Sequence, residues 1–568
     1  MTEHAPRRRT LFALLVAALA AGLLWLVWRA VAPGGVSLFE WLILACVLGT
    51  TPWAALSLAN SLVGLAILLG ARNPPAFVLP ALARAAGPPR SVTALTVCIR
   101  NEDMGAVLPP FAALLADLEA RGVSRHFRLW FLSDTQDPSA IAAEEAALAP
   151  FLAAHPTARY RRRAQNTGFK AGNVMDFLDH HATDETFFLC LDADSVMTAP
   201  AILRLVAVME AEPKLAIVQQ LIVGRPATAA FPRLFQFGMR AGMRAWATGQ
   251  AWWQMDAGPY WGHNAILRIA PFRAHARLET LEDGSPILSH DMVESVRLQA
   301  AGWAVRCLPA EDGSAEANPP AMPEFLRRDE RWGAGNMQYW QLLGLPNFTL
   351  LGRLQLLQAI LLFAGAPLYV AALLLALANG LTGAGAETPM GAVALAVAAH
   401  ALAYFAPKLA GYAQALIARR VAATYGGRGA FARGALAEFA FMLAFEPLSN
   451  LNKAMFLARL AFGARAGWAP QNRADRGIAW ADATRLLWPH TLAGIGLTLG
   501  FAAISWAALL IALPFTFGMV LAVPLCVLSA DPALSRRMVA AGLCAVPEEL
   551  SAQNPETPPA APRPAHPV

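Results

Sequence analysis

The chain has 568 residues, of which 56% are hydrophobic and only 15% are charged. A soluble globular domain has about 25% charged residues, so this composition excludes an ordinary soluble protein and is typical of a membrane protein. The formal net charge of +6 fits basic loops on the cytoplasmic side of a membrane. No RNA- or DNA-binding signature accompanies that charge, so we do not expect a nucleic acid as a partner.

Two long apolar runs near the N-terminus predict membrane spans. Residues 11–31 are apolar except for Arg29, and residues 36–70 carry Glu40 as their only charge. Each run is long enough to cross ~30 Å of hydrocarbon. The second is longer than one crossing needs, so we expect a kink or break at Thr50-Thr51-Pro52. Basic residues outside both runs place the two ends in the cytoplasm. We therefore predict that residues 1–90 form a block of two spans followed by a linker.

The middle of the chain, residues 91–345, has the pattern of a soluble α/β domain. Short β-forming runs alternate with stretches of helical spacing, which predicts a mostly parallel sheet. Ligands of such sheets bind at the carboxyl ends of the strands. The predicted strands are 94–100, 127–132, 187–191 and 216–221, and the predicted helices are 107–122, 140–154, 171–181, 200–211 and 291–301.

Residues 346–530 predict a second membrane block. Its predicted spans are 350–377, 392–417, 492–511 and 513–530, with Pro514 near the last break. Residues 434–462 are apolar but interrupted by charged and amide side chains, which favours an interfacial or re-entrant helix pair over a clean span. Residues 467–480 are a polar loop, and the Pro-rich stretch 531–568 is predicted to be a disordered tail.

Two carboxylates follow the predicted strand 187–191. Alternation along the strand sends Asp192 and Asp194 the same way, with Ala193 pointing opposite. Mg²⁺ prefers oxygen ligands and is usually held by one or two carboxylates together with substrate phosphates. The pair therefore predicts a metal-bridged nucleotide-diphosphate site, although an acidic turn that merely ends a strand has the same pattern.

Polar motifs recur at other predicted element ends. Asp134 follows a strand, and Lys170 lies in a Gly-containing turn before a helix, where backbone N–H groups and a cation suit phosphates. Asp291 lies just before a helix about 100 residues after the acidic pair, and Arg331-Trp332 precedes the second membrane block. Each alone has a simpler structural explanation: a cap, an exposed lysine or a solvated charge run. Their order and spacing together favour one functional site.

This order of motifs resembles the processive family 2 glycosyltransferases of the GT-A fold, relatives of cellulose and hyaluronan synthases. Those enzymes carry an Asp, a DxD, a (T/S)xD or TED motif and QxxRW between membrane blocks. The closer resemblance is to the bacterial glucosyltransferases that make the backbone of osmoregulated periplasmic glucans. It is carried by NTGFKAGN, LDADSVM, SHDMVE, RRDERW and GPYWGHNAILR. Arg328 departs from the general pattern, since many synthases have Gln there, and we interpret it as a feature of the glucan subfamily.

The resemblance implies an α/β GT-A-type, Rossmann-like catalytic domain inserted between α-helical transmembrane blocks. It also implies roles for single residues. Asp134 would contact the uracil of a UDP-sugar with Glu102 nearby, and Lys170 would approach the diphosphate. Asp192 and Asp194 would lie at the ribose and the metal, Mg²⁺ or Mn²⁺. Arg331 would balance the charge of the leaving pyrophosphate, and Trp332 and, less securely, Trp261 would stack on the acceptor sugar.

Within the same resemblance Asp291 would be the general base that takes the proton from the acceptor hydroxyl. A carboxylate in reach of a hydroxyl contributes typically ~10²–10⁴-fold to such a transfer. Two alternatives stay open at this point. Glu294, one helical turn on, would point to the same side, and Asp291 itself could serve only as an acidic cap of its helix. Glu294 and His263 are otherwise expected in supporting positions.

The resemblance implies a processive, inverting enzyme that polymerises glucose from UDP-glucose into a β-1,2-linked backbone and passes it across the membrane. The expected partners are UDP-glucose, the growing glucan, the lipid bilayer and accessory glucan-biosynthesis proteins. The expected location is the bacterial inner membrane, multi-pass, with the catalytic domain in the cytoplasm. Residues 467–480 occupy the place of a gating loop, from which Arg473 and Arg476 would reach the diphosphate. The alternative is a cellulose- or hyaluronan-type synthase with another linkage.

Overall fold

The computed structural model describes residues 5–464 and 477–553. The N-terminal block consists of two long helices and two short ones, α1 (Ala5–Val31), α2 (Leu38–Gly70), α3 (Pro74–Val78) and α4 (Ala81–Arg84). The break expected at Thr50-Thr51-Pro52 is absent, because α2 continues through Pro52. The hydroxyls of Thr50 and Thr51 both donate to the carbonyl of Val47, at 3.1 and 2.7 Å, and so stay bonded within the helix.

A seven-stranded, mostly parallel sheet is the centre of the middle domain, as predicted. Its order is β3-β2-β1-β4-β8-β6-β9, and only β8 runs antiparallel to both of its neighbours. A second sheet of three short strands has the order β5-β10-β7. The strands are β1 (Thr93–Ile99), β2 (Phe127–Ser133), β3 (Arg159–Arg162), β4 (Phe187–Asp192), β5 (Val196–Met197), β6 (Leu215–Gln220), β7 (Val223–Gly224), β8 (Ala265–Arg268), β9 (Ala304–Leu308) and β10 (Ser314–Glu316).

The helices of this domain pack on both faces of the large sheet or run toward the membrane blocks. They are α5 (Met104–Ala120), α6 (Pro138–Ala154), α7 (Phe169–His180), α8 (Ala199–Ala211), α9 (Ala230–Gln254), α10 (Ile269–His275), α11 (His290–Ala300), α12 (Met322–Met337) and α13 (Tyr339–Leu342). The four predicted strands and five predicted helices are all present, with ends that coincide or are shifted by at most three residues.

One helix of the middle domain, α9, was not predicted and joins the domain to the membrane blocks. It packs against α2 and, farther along the chain, against α15 (Met390–Ile417). The contact with α2 is backbone to backbone, because a Cβ added at Gly64 or Gly249 would collide with the facing main chain. The middle domain and the helical blocks are therefore packed tightly along α9.

The C-terminal block is helical throughout its described part. Its helices are α14 (Leu350–Leu381), α15 (Met390–Ile417), α16 (Arg419–Thr424), α17 (Arg428–Ala461), α18 (Trp480–Ile504), α19 (Trp506–Val520), α20 (Ala522–Ser529), α21 (Pro532–Ala540) and α22 (Pro547–Gln553). Among the described residues five helices, α1, α2, α14, α15 and α18, are long and apolar enough to cross a membrane. A sixth crossing results if α19 and α20, which meet at a 55° bend, are counted as one.

Three predictions about this block are wrong. The break between the last two spans lies at Ser505, whose extended backbone and side chain cap α19, whereas Pro514 lies inside that helix. Residues 434–462 do not form a helix pair, since α17 runs unbroken through Pro447. The stretch 531–568 is not disordered over its described part, where α21 and α22 form.

A buried ion pair explains why α17 tolerates charge in an apolar setting. Lys408 of α15 donates to Glu438 of α17 at 2.6 Å, and Glu438 is completely buried. The hydroxyl of Tyr412 also donates to Glu438. A buried charge persists only when it is paired and hydrogen-bonded, and both conditions are met here.

Candidate active site

The two carboxylates of the DxD motif lie where β4 ends. Asp192 is the last residue of the strand, and the next residues form a tight turn. In that turn the N–H of Ser195 donates to the carbonyl of Asp192 at 3.0 Å, and the N–H of Asp192 donates to the Ser195 hydroxyl at 3.1 Å. The chain therefore reverses within the motif and leaves the Asp192 side chain at the carboxyl edge of the sheet.

Lys170 meets this edge from the first turn of α7. The turn before the helix requires Gly168, whose φ is +69° in the left-handed region. The Lys170 ammonium contacts the Asp192 carboxylate and donates to the carbonyl of Gly262 at 2.8 Å. The two charged side chains are 23% and 34% exposed, so the pair is open to a ligand. Burial is the largest single effect and opposes the charge on Lys170, but Asp192 together with the thiols of Cys190 and Cys98 outweighs it and raises the pKa of the lysine.

Asp134 follows β2, two strands away from β4 at the same edge of the sheet, and is held by an arginine that the sequence analysis did not single out. Both of its oxygens accept from the guanidinium of Arg163, each at 2.8 Å. The same guanidinium donates to the carbonyls of Thr167 and Phe169, at 2.9 and 3.0 Å. Arg163 thereby ties the end of β2 to the turn that carries Lys170. A planar donor with several N–H groups suits this fork-like arrangement.

Asp291 lies at the start of α11, close to the same Gly262 that accepts from Lys170. Gly262 has φ +85°, and a Cβ added there would come within 3.6 Å of Asp291 Oδ2. Burial raises the pKa of Asp291, which brings the carboxyl closer to the pH at which a general base works. Asp291 and the Lys170–Asp192 pair therefore flank one residue.

Glu294, the alternative base, is engaged elsewhere. Its carboxylate lies 3.0 Å from Nδ1 of His290, and its side chain is only 3% exposed. A carboxylate that is enclosed and paired in this way is poorly placed to meet an acceptor hydroxyl. The geometry therefore favours Asp291 over Glu294.

A second His–Glu pair lies near Asp192, at the carboxyl edge of the sheet. His263 Nε2 is 3.3 Å from Glu316, the last residue of β10. Burial opposes the charge on His263, but Asp192 and Glu316 outweigh it and raise its pKa. The sequence analysis named His263 only in a supporting position and did not name Glu316, because nothing in a short three-residue strand indicates what it faces.

Helix α12 brings the RRDERW motif next to the segment that precedes Asp291. The hydroxyl of Tyr339, just after α12, donates to the carbonyl of Ser289 at 2.7 Å. Gln338 bonds both the N–H of Leu288 and the carbonyl of Pro286, at 2.8 and 3.1 Å. Motifs that are about 40 residues apart in the chain thus share one side of the site.

Trp332 and Arg328 lie together on this helix. The Arg328 guanidinium sits 4.5 Å from the centre of the Trp332 ring, which is 48% exposed. Such cation–π contacts fix the orientation of an exposed indole. The arginine that departs from the general family pattern therefore has a visible contact, on the residue expected to meet the acceptor.

The remaining predicted site residues have mixed placements. Arg331 shares α12 with Trp332, and Glu102 lies in the loop between β1 and α5. Trp261 is half-buried in an apolar cluster with residues of α2 and α9, although it directly precedes Gly262. Its stacking on an acceptor stays a prediction. Arg473 and Arg476, with most of the loop 467–480, lie outside the described residues.

The donor edge fits a divalent cation by its chemistry. Asp192 and Asp194 supply carboxylate oxygens, the ligands that Mg²⁺ and Mn²⁺ prefer. Within residues 5–464 and 477–553 no three His, Cys, Asp or Glu side chains converge as a complete metal cage. Two carboxylates that need substrate phosphates to complete the shell are what such nucleotide-dependent sites use.

Comparisons with known proteins agree with this geometry. Residues 97–275 match the family model of glycosyl transferase family 2, and residues 187–407 match that of glycosyl transferase family group 2. Together with the mixed sheet and the flanking apolar helices, these matches confirm the predicted fold class.

Several bacterial proteins named glucans biosynthesis glucosyltransferase H are similar over most of their length. The protein of Bradyrhizobium diazoefficiens is 32% identical over 91% of this chain and 71% of its own. That of Caulobacter vibrioides is 30% identical over 92% and 82%. That of Xanthomonas campestris pv. campestris is 30% identical over 93% and 85%. A solved mannosyltransferase from Pyrobaculum calidifontis, in complex with GDP-Man and Mn²⁺, is 17% identical over 64% of this chain and 99% of its own, with a TM-score of 0.37.

Proposed function

This chain belongs to the glucans biosynthesis glucosyltransferase H family and is a hexosyltransferase of glycosyltransferase family 2, and from that premise we propose its reaction. We propose that it polymerises glucose from UDP-glucose, with inversion, into the β-1,2-linked backbone of osmoregulated periplasmic glucans. The observation that carries this proposal is the arrangement around Gly262. Lys170 donates to the Gly262 carbonyl and also contacts Asp192, and Asp291 lies where a Cβ on Gly262 would come within 3.6 Å of it.

The donor would bind along the carboxyl edge of the sheet. Lys170, already placed on Asp192, supplies a cation for the diphosphate. Asp192 and Asp194 would hold Mg²⁺ or Mn²⁺, which when bound offsets the charge that develops on the leaving diphosphate. Asp134 and Arg163 form a rigid unit near the expected uracil, with Glu102 beside the neighbouring strand end. Arg331 adds positive charge from α12.

The acceptor would approach from the opposite side of Gly262. Asp291 accepts the proton of the attacking hydroxyl, so that the C1–O bond to UDP breaks as the new glycosidic bond forms. One displacement inverts the anomeric carbon, and no covalent enzyme intermediate is required. Trp332 offers an exposed aromatic face on which the acceptor sugar stacks, and Trp261 is the less accessible second candidate.

The membrane block would receive the growing glucan. Polar side chains of intermediate exposure recur on one side of α17 at Glu446, Asn450 and Lys453, at spacings of four and three residues. The Tyr404 hydroxyl donates to Glu446 at 2.7 Å, and Tyr404 is 38% exposed. Polar groups inside a membrane block often mark a substrate path, and hydroxyl-rich saccharides suit such groups. We propose that this side of α17 lines the exit route.

The location follows from the same proposal. The chain would be a multi-pass protein of the bacterial inner membrane with its catalytic domain in the cytoplasm, where UDP-glucose is present. A phosphatase reporter fused after Arg90 should be inactive, because that enzyme works only in the periplasm. An active fusion there would contradict the cytoplasmic placement.

The test of the reaction uses membranes that contain the full chain. They are incubated with labelled UDP-glucose and Mg²⁺, and the product is digested with linkage-specific glucanases. We expect a polymer that only a β-1,2-glucanase degrades, and little product from UDP-GlcNAc. A product degraded by cellulase, or equal turnover of UDP-GlcNAc, would assign the chain to the cellulose- or hyaluronan-type alternative.

A further inference from the structure

Two neighbouring side chains at the start of α11 have no part in the reaction as described so far. His290 precedes Asp291, and its Nδ1 lies 3.0 Å from the carboxylate of Glu294, one helical turn on. The His290 side chain is 15% exposed and that of Glu294 is 3% exposed. An enclosed carboxylate at this distance accepts the Nδ1–H and fixes the orientation of the ring.

The surroundings of this pair contain few other charges. Lys170 of α7 reaches the same region, and the phenols of Tyr260, before β8, and Tyr339, of α13, face Asp291 and Glu294. Without a cation at His290, two carboxylates would lie within one turn of the same helix. Like charges that close push the pKa of at least one carboxyl upward.

We propose that His290 is a positioning residue for Asp291: held by Glu294, its imidazolium keeps the neighbouring carboxylate ionised inside the enclosed site. The inference rests on the proposed role of Asp291 as the base. Glu294 serves as the fixed partner of the cation, which explains why a carboxylate one turn from the base is buried away from the acceptor. The Ser-His-Asp-Met-Val-Glu motif thus combines the base, its cation and the anchor of that cation in six residues.

The charge state of His290 supports this role. Burial is the largest single effect and opposes the cation, but Glu294 and Asp291 together outweigh it and raise the pKa of His290 to about 9. The imidazolium is therefore present through the neutral range and is lost only as the pH rises past that value. Its charge acts on Asp291 in the opposite direction to burial and to Glu294, both of which raise the pKa of Asp291.

The test is the pH dependence of glucan synthesis by the full-length protein in membranes. The acid limb of the rate profile follows ionisation of the base, and a nearby opposite charge lowers the pKa of a carboxyl by about 1–3 units. His290→Gln should therefore move the acid limb up by at least about one pH unit, so that activity is about tenfold lower on the acid side and close to wild type above pH ~8.

Three further variants define the result. His290→Lys keeps a cation and should leave the limb near its wild-type position. Glu294→Gln removes a negative charge that raises the pKa of Asp291, and it also lowers the pKa of His290, so that less of the imidazolium is present. Because these two changes act on Asp291 in opposite directions, the shift of the acid limb should be smaller than in His290→Gln. His275→Gln, which alters an exposed histidine at the end of α10, is the matched control and should change nothing.

Several outcomes would overturn the inference. A uniform loss of activity at every pH in His290→Gln, or loss of UDP-glucose binding by that variant, would make His290 a structural residue. A larger shift in Glu294→Gln than in His290→Gln would assign the effect to Glu294. Failure of the underlying proposal is distinguishable, since it would appear as retained transfer by Asp291→Asn whatever the His290 profile shows.

Discussion

The donor side of the site and the side that faces the membrane block are held together differently. On the donor side, strand ends place Asp134 and Asp192, and each is met by one cation, Arg163 or Lys170. On the membrane side, the acidic residues of α12 reach out of the catalytic domain to α17. Lys453 lies 3.3 Å from Asp329, and Arg459 lies 3.3 Å from Glu330.

This difference separates two tasks within one motif. In RRDERW, Arg328 and Trp332 contact each other, whereas Asp329 and Glu330 pair with Lys453 and Arg459 of α17. Under the proposed function, contacts on the donor side would bear on donor binding and chemistry. Contacts on the membrane side would bear on where the acceptor stacks and where the product goes. The two sides should respond differently to substitution.

The largest expected effect lies on the donor side. Asp194→Asn removes one charged ligand of the proposed metal, and a metal in this role is worth several kcal/mol of transition-state stabilisation. We expect transfer to fall by at least about 10²-fold, since each ~1.4 kcal/mol is a factor of ten. The measurement is initial rate against Mg²⁺ or Mn²⁺ concentration. Full activity of the wild type in EDTA would show that transfer does not depend on a divalent metal.

A smaller effect is expected at the buried pair on the membrane side. Asp329 and Lys453 are 9% and 14% exposed, so Asp329→Asn would leave an enclosed ammonium without its partner. Removing one member of a buried ion pair lowers the free energy of unfolding by about 3–5 kcal/mol. Because both side chains are still slightly exposed, we expect a value near the lower limit of that range. We expect a lower unfolding temperature in detergent and shorter glucan products, with donor binding unchanged.

The reversed pair is the control for that prediction. The double variant Asp329→Lys, Lys453→Asp restores opposite charges across the same interface and should recover much of the product length. If Asp329→Lys and Lys453→Asp, each made alone, already give products of wild-type length, the contact between α12 and α17 has no role in handling the acceptor.

The smallest effect is expected at Glu330, the residue that follows Asp329. Glu330 accepts from Asn452 at 3.2 Å and pairs with Arg459, whose side chain is 62% exposed. Exposed pairs contribute about 0–1 kcal/mol, so Glu330→Gln should leave both stability and product length close to wild type. If Glu330→Gln lowered stability and product length as much as Asp329→Asn does, the different exposure of the Glu330–Arg459 and Asp329–Lys453 pairs would not explain their contributions.

The sequence predicts the donor side better than the membrane side, for a physical reason. The sites of Asp134, Asp192 and Lys170 follow from local patterns, because parallel strands place their carboxyl ends at one edge. Arg163 is harder to recognise, because it is one of several arginines in residues 159–163 and nothing local indicates that its partner is Asp134. The order of motifs then identified the family and the fold class.

The membrane side depends on contacts between distant residues, which no local pattern shows. Helix α9 lies between β7 and β8 of the middle domain yet packs on α2 and α15. Helix α17 appears interrupted in sequence because its charges, such as Glu438 and Lys453, have partners on α15 and α12. The His263–Glu316 pair could not be predicted from the sequence for the same reason, since its two residues are 53 positions apart.

The central claim is that Asp291 is the base, and one variant tests it most directly. Asp291→Asn keeps the size and most hydrogen bonding of the side chain but cannot accept the proton. With the wild type and Glu294→Gln in parallel, UDP-glucose binding and glucan synthesis are measured on the same membranes. We predict that Asp291→Asn binds UDP-glucose normally while transfer falls by at least ~10²-fold. Continued polymerisation by Asp291→Asn, with loss in Glu294→Gln, would contradict the claim.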